Sequence, residues 1–401
     1  MPDSSPEVRG LSVRLILLLG TASLFGSLVS NGARSVTGPF LLALGGNAVV
    51  VGLIVGFGEF AGYALRAITG GYVDRDHGYW RVVMAGYGLL AAIPLLAAIG
   101  RWETAAVLII TERVGKAVRT PARDTILSHA TTNVGRGWGF GIHKALDQVG
   151  AVIGPLVMVA ALTLTGGYAE GFLLLGLPLA GVALTLSFAQ STVPRPGCLD
   201  TGEGDGKTIG SPRVLSYAVF IFLGMAGFVN FPILSFHLKA QAIVPDAAIP
   251  LFYASAMVVS VVVALLAGRA FDRIGTRILL TIPVISTLTV FLAFSPDPGV
   301  ALAGSLAWGV GIGIFETAFR ASIAGLATAG RRGKAYGTMS AVFGTAWFVG
   351  SAVMGILYDI SIGYIVAYVV IVEIAAVAAC LQIYRSRIVV RLEERIGNLM
   401  P

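Results

Sequence analysis

The sequence predicts an all-α membrane protein of twelve transmembrane helices arranged as two pseudo-symmetric six-helix halves. Three observations lead there. Of 401 residues 56% are hydrophobic and only 12% charged, against roughly 25% charged in a soluble domain, so most of the chain cannot face water. Charged, Gly-rich and Pro-rich points divide the chain into apolar stretches of about 20 residues or more, enough to cross a bilayer. A charged turn also occurs twice between such stretches, from Gly70 through Asp74 and Arg75 to Arg81, and from Gly268 through Asp272 and Arg273 to Arg277. A duplicated turn in an apolar chain implies a duplicated bundle.

Taken in order, the first half (1–190) places helices at 12–42, 47–72, 80–99, 104–128, 136–165 and 168–190. Its opening apolar run continues from Leu11 past Leu28 without a small-residue cleavage site, and other spans follow, which predicts a membrane helix and not a removed signal. The second helix ends at the charged turn. The fourth carries many charges and Pro121, which should kink its cytoplasmic end. The fifth opens on Arg136-Gly-Trp-Gly-Phe-Gly141, matched by Arg332-Gly-Lys-Ala-Tyr-Gly337 at the start of the eleventh. Between the halves, 191–212 has linker composition, rich in Pro, Gly and charge. The second half (213–385) places helices at 213–240, 248–271, 277–295, 299–327, 333–358 and 362–385. The tail (386–401) is basic, and its arginines from Arg385 to Arg395 suit a short amphipathic helix on anionic lipid, or a solvated helix end. The 52 glycines suit helices that pack closely in lipid.

The formal charge of +7 comes from arginines in short loops, not from one basic face, which argues against nucleic acid. Two cysteines, Cys198 and Cys380, exclude a disulfide framework and a cysteine metal site. There is no phosphate-binding Gly-x-x-x-x-Gly-Lys-Ser/Thr, no His-Glu-x-x-His and no Gly-x-Ser-x-Gly, so neither a built-in ATPase nor another enzyme, metal or cofactor is expected. With the N-terminus in the cytoplasm, eighteen loop arginines and lysines fall on that side and two, Arg101 and Lys239, on the other. Both termini are therefore expected in the cytoplasm, with the chain in the cell membrane.

Eight basic residues remain inside predicted helices: Arg34, Arg66, Arg113, Lys116, Arg119, Arg123, Lys144 and Arg320. With them lie Glu59, Glu112, Asp124, Asp147, Glu316 and Glu373. Charges at this depth are functional candidates because each is costly unless paired or hydrated. Most sit in the first half, which should line a wet polar cavity. The second half offers Asn230, Phe315, Phe343 and Trp347. We take Arg34, Arg66, Arg113, His143 and these four as the candidate cavity. Glu59 falls about 18 Å from either end of its helix at about 1.5 Å per residue, near the midplane. Among Phe57 and Phe60 it can take up and release a proton, or it can stay ionised and pair with Arg66 or Arg113. In the fourth helix Glu112, Lys116, Arg119 and Arg123 form one stripe, and Arg113, Thr120 and Asp124 a neighbouring one. Asp147 shares a stripe with His143 and lies within reach of Lys144, as a second proton carrier or as a satisfied pair. Glu59 ranks first as carrier because no opposite charge lies within one helical turn of it.

The turn pattern Gly-x-x-x-Asp-Arg-x-Gly-x-Arg resembles the cytoplasmic loop between helices 2 and 3 of the major facilitator superfamily, with its echo between helices 8 and 9. The second copy fits without a gap, and the first carries one extra residue before Gly78. Gly141, Gly150, Gly154 and Pro155 resemble the family's helix 5 antiporter signature, departing where Val157 and Met158 lead into Val159 in place of a glycine pair. Arg113 resembles its helix 4 arginine, linked to substrate binding or proton coupling. The resemblance implies alternating access by two rocking halves, and proton-coupled export, by antiport, of small amphiphilic organic compounds. A transporter of an organic anion or metabolite is the alternative, and a receptor or lipid-handling scaffold a further one. Proton coupling falls to Glu59, Asp147, Glu112 and Arg113. A cytoplasmic latch falls to Gly70, Asp74, Arg75, Arg81, Asp124, Asp272 and Arg273, with Asp74 meeting the start of helix 11 around 333–336. The expected partners are a small-molecule substrate, protons and the lipid bilayer, with the chain acting as a monomer. With the native cysteines replaced, single cysteines at Gly204 and Asn398 should react only with reagents admitted to the cytoplasm; labelling from outside intact cells would reverse the orientation.

Overall fold

In lipid every backbone N–H and C=O must be bonded within the segment that carries it, so apolar runs of this length can only be helices. The structure, a computed structural model, describes residues 6–76, 78–131, 134–194, 212–326 and 332–397. We number the helical segments α1 (Pro6–Ala43), α2 (Ala48–Asp76), α3 (Tyr79–Ala98), α4 (Trp102–Thr131), α5 (Arg136–Thr165) and α6 (Tyr168–Thr192). In the second half follow α7 (Pro212–Ala226, resuming as Phe231–Ala240), α8 (Ile249–Ile274), α9 (Thr281–Ala293), α10 (Pro298–Leu326), α11 (Arg332–Ile360) and α12 (Ile362–Gly397). The tail continues α12 instead of forming a separate helix, since neither proline nor glycine interrupts the chain between Tyr364 and Ile396.

Among the described residues ten stretches are long and apolar enough to cross a membrane. The difference from twelve has two physical sources. One stretch, Asp246–Ala293, runs for 48 residues and contains both α8 and α9, separated at Gly275, whose φ of +61° favours glycine. The other is α4, too charged to qualify by composition yet packed along α2 and α3.

The packing repeats with a period of six helices. In the first half α1 packs on α5 and α6, α2 on α4, and α3 on α4; in the second α7 packs on α11 and α12, α8 on α10, and α9 on α10. Between the halves α2 meets α11 and α5 meets α8, a pair of contacts that exchange under the same operation, while α1 meets α7. The glycines of the helix 5 pattern serve this packing: a Cβ at Gly150 or Gly154 would run into the Leu24 or Leu28 carbonyl of α1. Gly141 meets nothing, and Pro155 is carried inside the continuous α5.

At the end of the bundle away from both chain termini the halves are in contact. Gly38 of α1 lies against the Pro232 carbonyl of α7, and the Ala48 N–H donates to Asp359 of α11 at 3.3 Å. Tyr168 at the start of α6 donates to Asp246 at 2.7 Å and accepts from Lys239 at 3.0 Å, while Lys239 pairs with Asp246 and stacks over the Tyr168 ring. This three-residue clasp is not foreseen from the sequence, although Lys239 stands out there as one of two basic residues on that side. Both hydrogen bonds of the Tyr168 hydroxyl are to charged groups, and removing such a bond costs about 1.5–3 kcal/mol, or roughly tenfold or more in an equilibrium. With native cysteines replaced, Tyr168→Phe should therefore raise about tenfold or more the rate at which a cysteine at buried Thr37 is labelled by an impermeant reagent from that side. An unchanged rate would assign closure to the Gly38–Pro232 and Ala48–Asp359 contacts.

Candidate functional site

Arg34, Glu59 and Glu112 lie nine, eleven and ten residues from the clasped ends of α1, α2 and α4, a common depth of about 15 Å. There the helices bring their charges together. Arg34 donates to Glu59 Oε1 at 2.7 Å, and Arg113 approaches the same oxygen at 3.5 Å. Arg113 Nε is 3.4 Å from Glu112 Oε2, and the Ser30 hydroxyl donates to Glu112 Oε1 at 2.6 Å. Gly58 leaves the space Arg113 occupies, since a Cβ there would sit 3.0 Å from its Cγ. These four charged side chains are 3 to 15% exposed, so the cluster is nearly dry and not the wet cavity expected.

The cluster is also unbalanced. Lys116 and Arg66 act on Glu59, but among the described residues neither forms an ion pair; the Arg66 guanidinium instead lies 4.6 Å from the Tyr63 ring centre. Four cations therefore surround two carboxylates. The buried Nε atoms of Arg34 and Arg66 and the indole Nε1 of Trp347 have no hydrogen-bond partner among the described residues. Each of these is a donor, and a buried donor left without an acceptor costs about 1–3 kcal/mol.

Opposite the charges runs a band of aromatic rings. Tyr63 of α2 meets Phe343 of α11 at 4.5 Å, and Phe343 stacks on Phe315 at 4.8 Å and contacts Trp347 at 5.3 Å. The band continues through Phe228 and Trp308 to Tyr253. The Tyr253 hydroxyl donates at 2.8 Å to Asn31, three residues before Arg34, and Tyr253 and Tyr63 are both close enough to feel the Arg34 charge. Phe57 and Phe60 do not surround Glu59; they pack on Phe348 of α11.

A second cluster lies closer to the end that holds the termini. Asp147 accepts from Ser23 of α1 at 2.8 Å and pairs with Lys144 at 3.4 Å, and Lys144 reaches across to Glu316 of α10 at 3.5 Å. Lys144 and Glu316 are 48% and 44% exposed, so the seam between α5 and α10 is open at that end while the Glu59 cluster stays buried. Arg123 pairs with Asp124 at 2.8 Å and donates to Ser23, and Arg119 packs on the Tyr87 ring and the Gly86 carbonyl of α3.

Several sequence expectations change in this light. Glu59, ranked first because it lacks a counter-charge nearby in sequence, has two arginines on it, supplied by α1 and α4. Asn230 is committed as the cap of the second piece of α7, accepting from the Ile233 N–H at 3.0 Å and donating to Ser351 at 2.7 Å, so it is not a free cavity group. His143 is buried, with its Cα against Gly20 of α1, and among the described residues its ring makes no contact with the aromatic band. Glu112, placed on one stripe with Lys116, Arg119 and Arg123, turns to Ser30 and Arg113. Of the latch residues, Asp124 pairs within α4, and Arg81, Asp272 and Arg273 are exposed at helix ends. The Asp74 and Arg75 side chains, the Arg320 side chain and the linker at 195–211 lie outside the described residues, as do the side chains around Gly70.

Residues 216–391 match the family model described as Major Facilitator Superfamily. An uncharacterized protein of Mycobacterium tuberculosis (strain ATCC 25618 / H37Rv) is 39% identical over 387 residues, covering 94% of each chain. An uncharacterized MFS-type transporter of Methanocaldococcus jannaschii is 30% identical over 140 residues, 35% of each. Among solved structures, a variant of the nucleoside transporter NupG superposes with a TM-score of 0.75 over 91% of this chain and 99% of that one, at 14% identity, a likeness of fold alone.

Proposed function

The chain belongs to the major facilitator superfamily and is a multi-pass membrane transporter, not an enzyme; from that premise we propose that it carries a small amphiphilic organic anion by proton-linked alternating access. We place it in the cell membrane with both termini in the cytoplasm, as the loop charges favour. The observation that carries the proposal is the surplus of buried cations and unpartnered donors beside an aromatic band. An anionic group can accept from Arg34, Arg66 or Trp347 and offset the charge of Lys116, while a flat apolar body packs on the rings.

Proton linkage falls to Glu59. As a carboxylate it holds Arg34 and Arg113; once protonated it releases both toward the substrate anion. Proton and anion then bind together, which favours movement in one direction over the exchange expected from the helix 5 glycines. One observation favours the second reading, exchange of protons for an amphiphilic compound leaving the cell. Lys144 bridges Asp147 and Glu316 at the open end, where a cationic substrate could replace it.

The test is transport in sealed proteoliposomes with a panel of aromatic anions, cations and neutral compounds, with and without a pH gradient. We expect anions to move with the proton gradient. Lys116→Gln should lower their apparent affinity about tenfold, the effect of losing one charge-assisted contact of about 1.5 kcal/mol. Preferential movement of cations against the proton flow would replace this reading with the exchange one. Absence of flux for every class would leave a receptor or scaffold.

A further inference from the structure

One buried acid takes no part in either cluster. Glu373 lies eleven residues into α12, about 16 Å from the clasped end and so at membrane mid-depth. It is 2% exposed, and neither carboxyl oxygen has a hydrogen-bond partner among the described residues. The side chain fills a notch in α7 where that helix is broken between Ala226 and Phe231. A Cβ at Gly227 would lie 2.7 Å from its Oε1 and 3.0 Å from its Cδ, so only glycine leaves room for the carboxyl group.

The other polar groups at the break are committed. Tyr368 donates to the Ala226 carbonyl at 3.2 Å, Ser286 of α9 to the Gly227 carbonyl at 3.0 Å, and Trp308 of α10 to the Val229 carbonyl at 2.8 Å. Among the described residues the groups facing Glu373 are Gly224 and Gly227 on α7, Ser286 on α9 and Tyr368 on its own helix; none is a cation. A carboxylate here would have no counter-charge among the described residues, and the one donor beside it, the Ser286 hydroxyl, is given to the Gly227 carbonyl, an arrangement that costs several kcal/mol at this depth. With a proton the group becomes a donor, and the Ser286 oxygen, whose own hydrogen is given to Gly227, is left to accept.

We propose that Glu373 is a proton-binding site in the second half, filled while the end away from the termini is clasped and emptied when that end opens. The link is mechanical. The second piece of α7 carries Pro232, on which Gly38 rests, and Lys239 of the clasp, so opening moves that piece relative to α12 and uncovers the notch at Gly227. The released proton passes to water. This site is separate from the Glu59 cluster and stands or falls without regard to which substrate is carried.

The test is infrared spectroscopy of the purified protein in lipid vesicles at neutral pH, in H2O and D2O, following the carbonyl band of a protonated carboxylic acid. Wild type should show that band with its deuterium shift, and Glu373→Gln should lose it while Glu59→Gln and Asp147→Asn keep it. Tyr168→Phe combined with Lys239→Ala, which loosens the clasp, should weaken it. No band in wild type, or a band undiminished in Glu373→Gln, would overturn the site; a band unaffected by loosening the clasp would overturn its link to opening. Because the band is read without any substrate, failure of the transport reading does not alter what it reports about Glu373.

Discussion

A carboxylate at the middle of a bilayer persists only where cations meet it, and Glu59 is met by two. Arg34 comes from α1 and Arg113 from α4, so one ion-pair cluster ties three helices of the first half at a single depth. Breaking such a pair by removing one partner costs about 3–5 kcal/mol, because the remaining charge stays buried. The cluster is thus a structural knot, and in the function we propose it is also a switch. Neutralising Glu59 would loosen the hold on Arg34 and Arg113, and α2, which carries Glu59, packs on α11 through Phe57, Phe60 and Phe348.

The two halves contribute unlike chemistry to like architecture. The pairing of helices repeats with a shift of six, yet the first half supplies most of the buried charge and the second most of the rings. The seam between them is closed at one end by Gly38, Asp359 and the Tyr168, Asp246 and Lys239 clasp, and exposed at the other beside Lys144 and Glu316.

Helix positions are legible in the sequence because lipid forbids any other use of long apolar runs, and the charged turn with its echo marks the duplication. The charges are legible as a set, but their partners are not. Arg34 and Glu59 stand twenty-five residues apart on antiparallel helices, and only packing reveals that they touch. Counting neighbours along one helix therefore misjudges Glu59. Asn230 is misread for a different reason: Gly227, Asn230 and Pro232 spell a helix stop and restart, but they stand inside one long apolar run that reads as a single span. Glu373 is visible as an intramembrane acid, yet its isolation depends on Gly227, more than a hundred residues earlier.

The most direct measurement of the role given to Glu59 is the number of protons taken up when a transported anion binds. It is read by titration calorimetry in buffers of different ionisation enthalpy. Wild type should take up about one proton per anion bound, and Glu59→Gln should take up none while binding the anion at least as tightly, since Arg34 and Arg113 are then free. Binding without proton uptake in wild type, or equal uptake in Glu59→Gln, would contradict it.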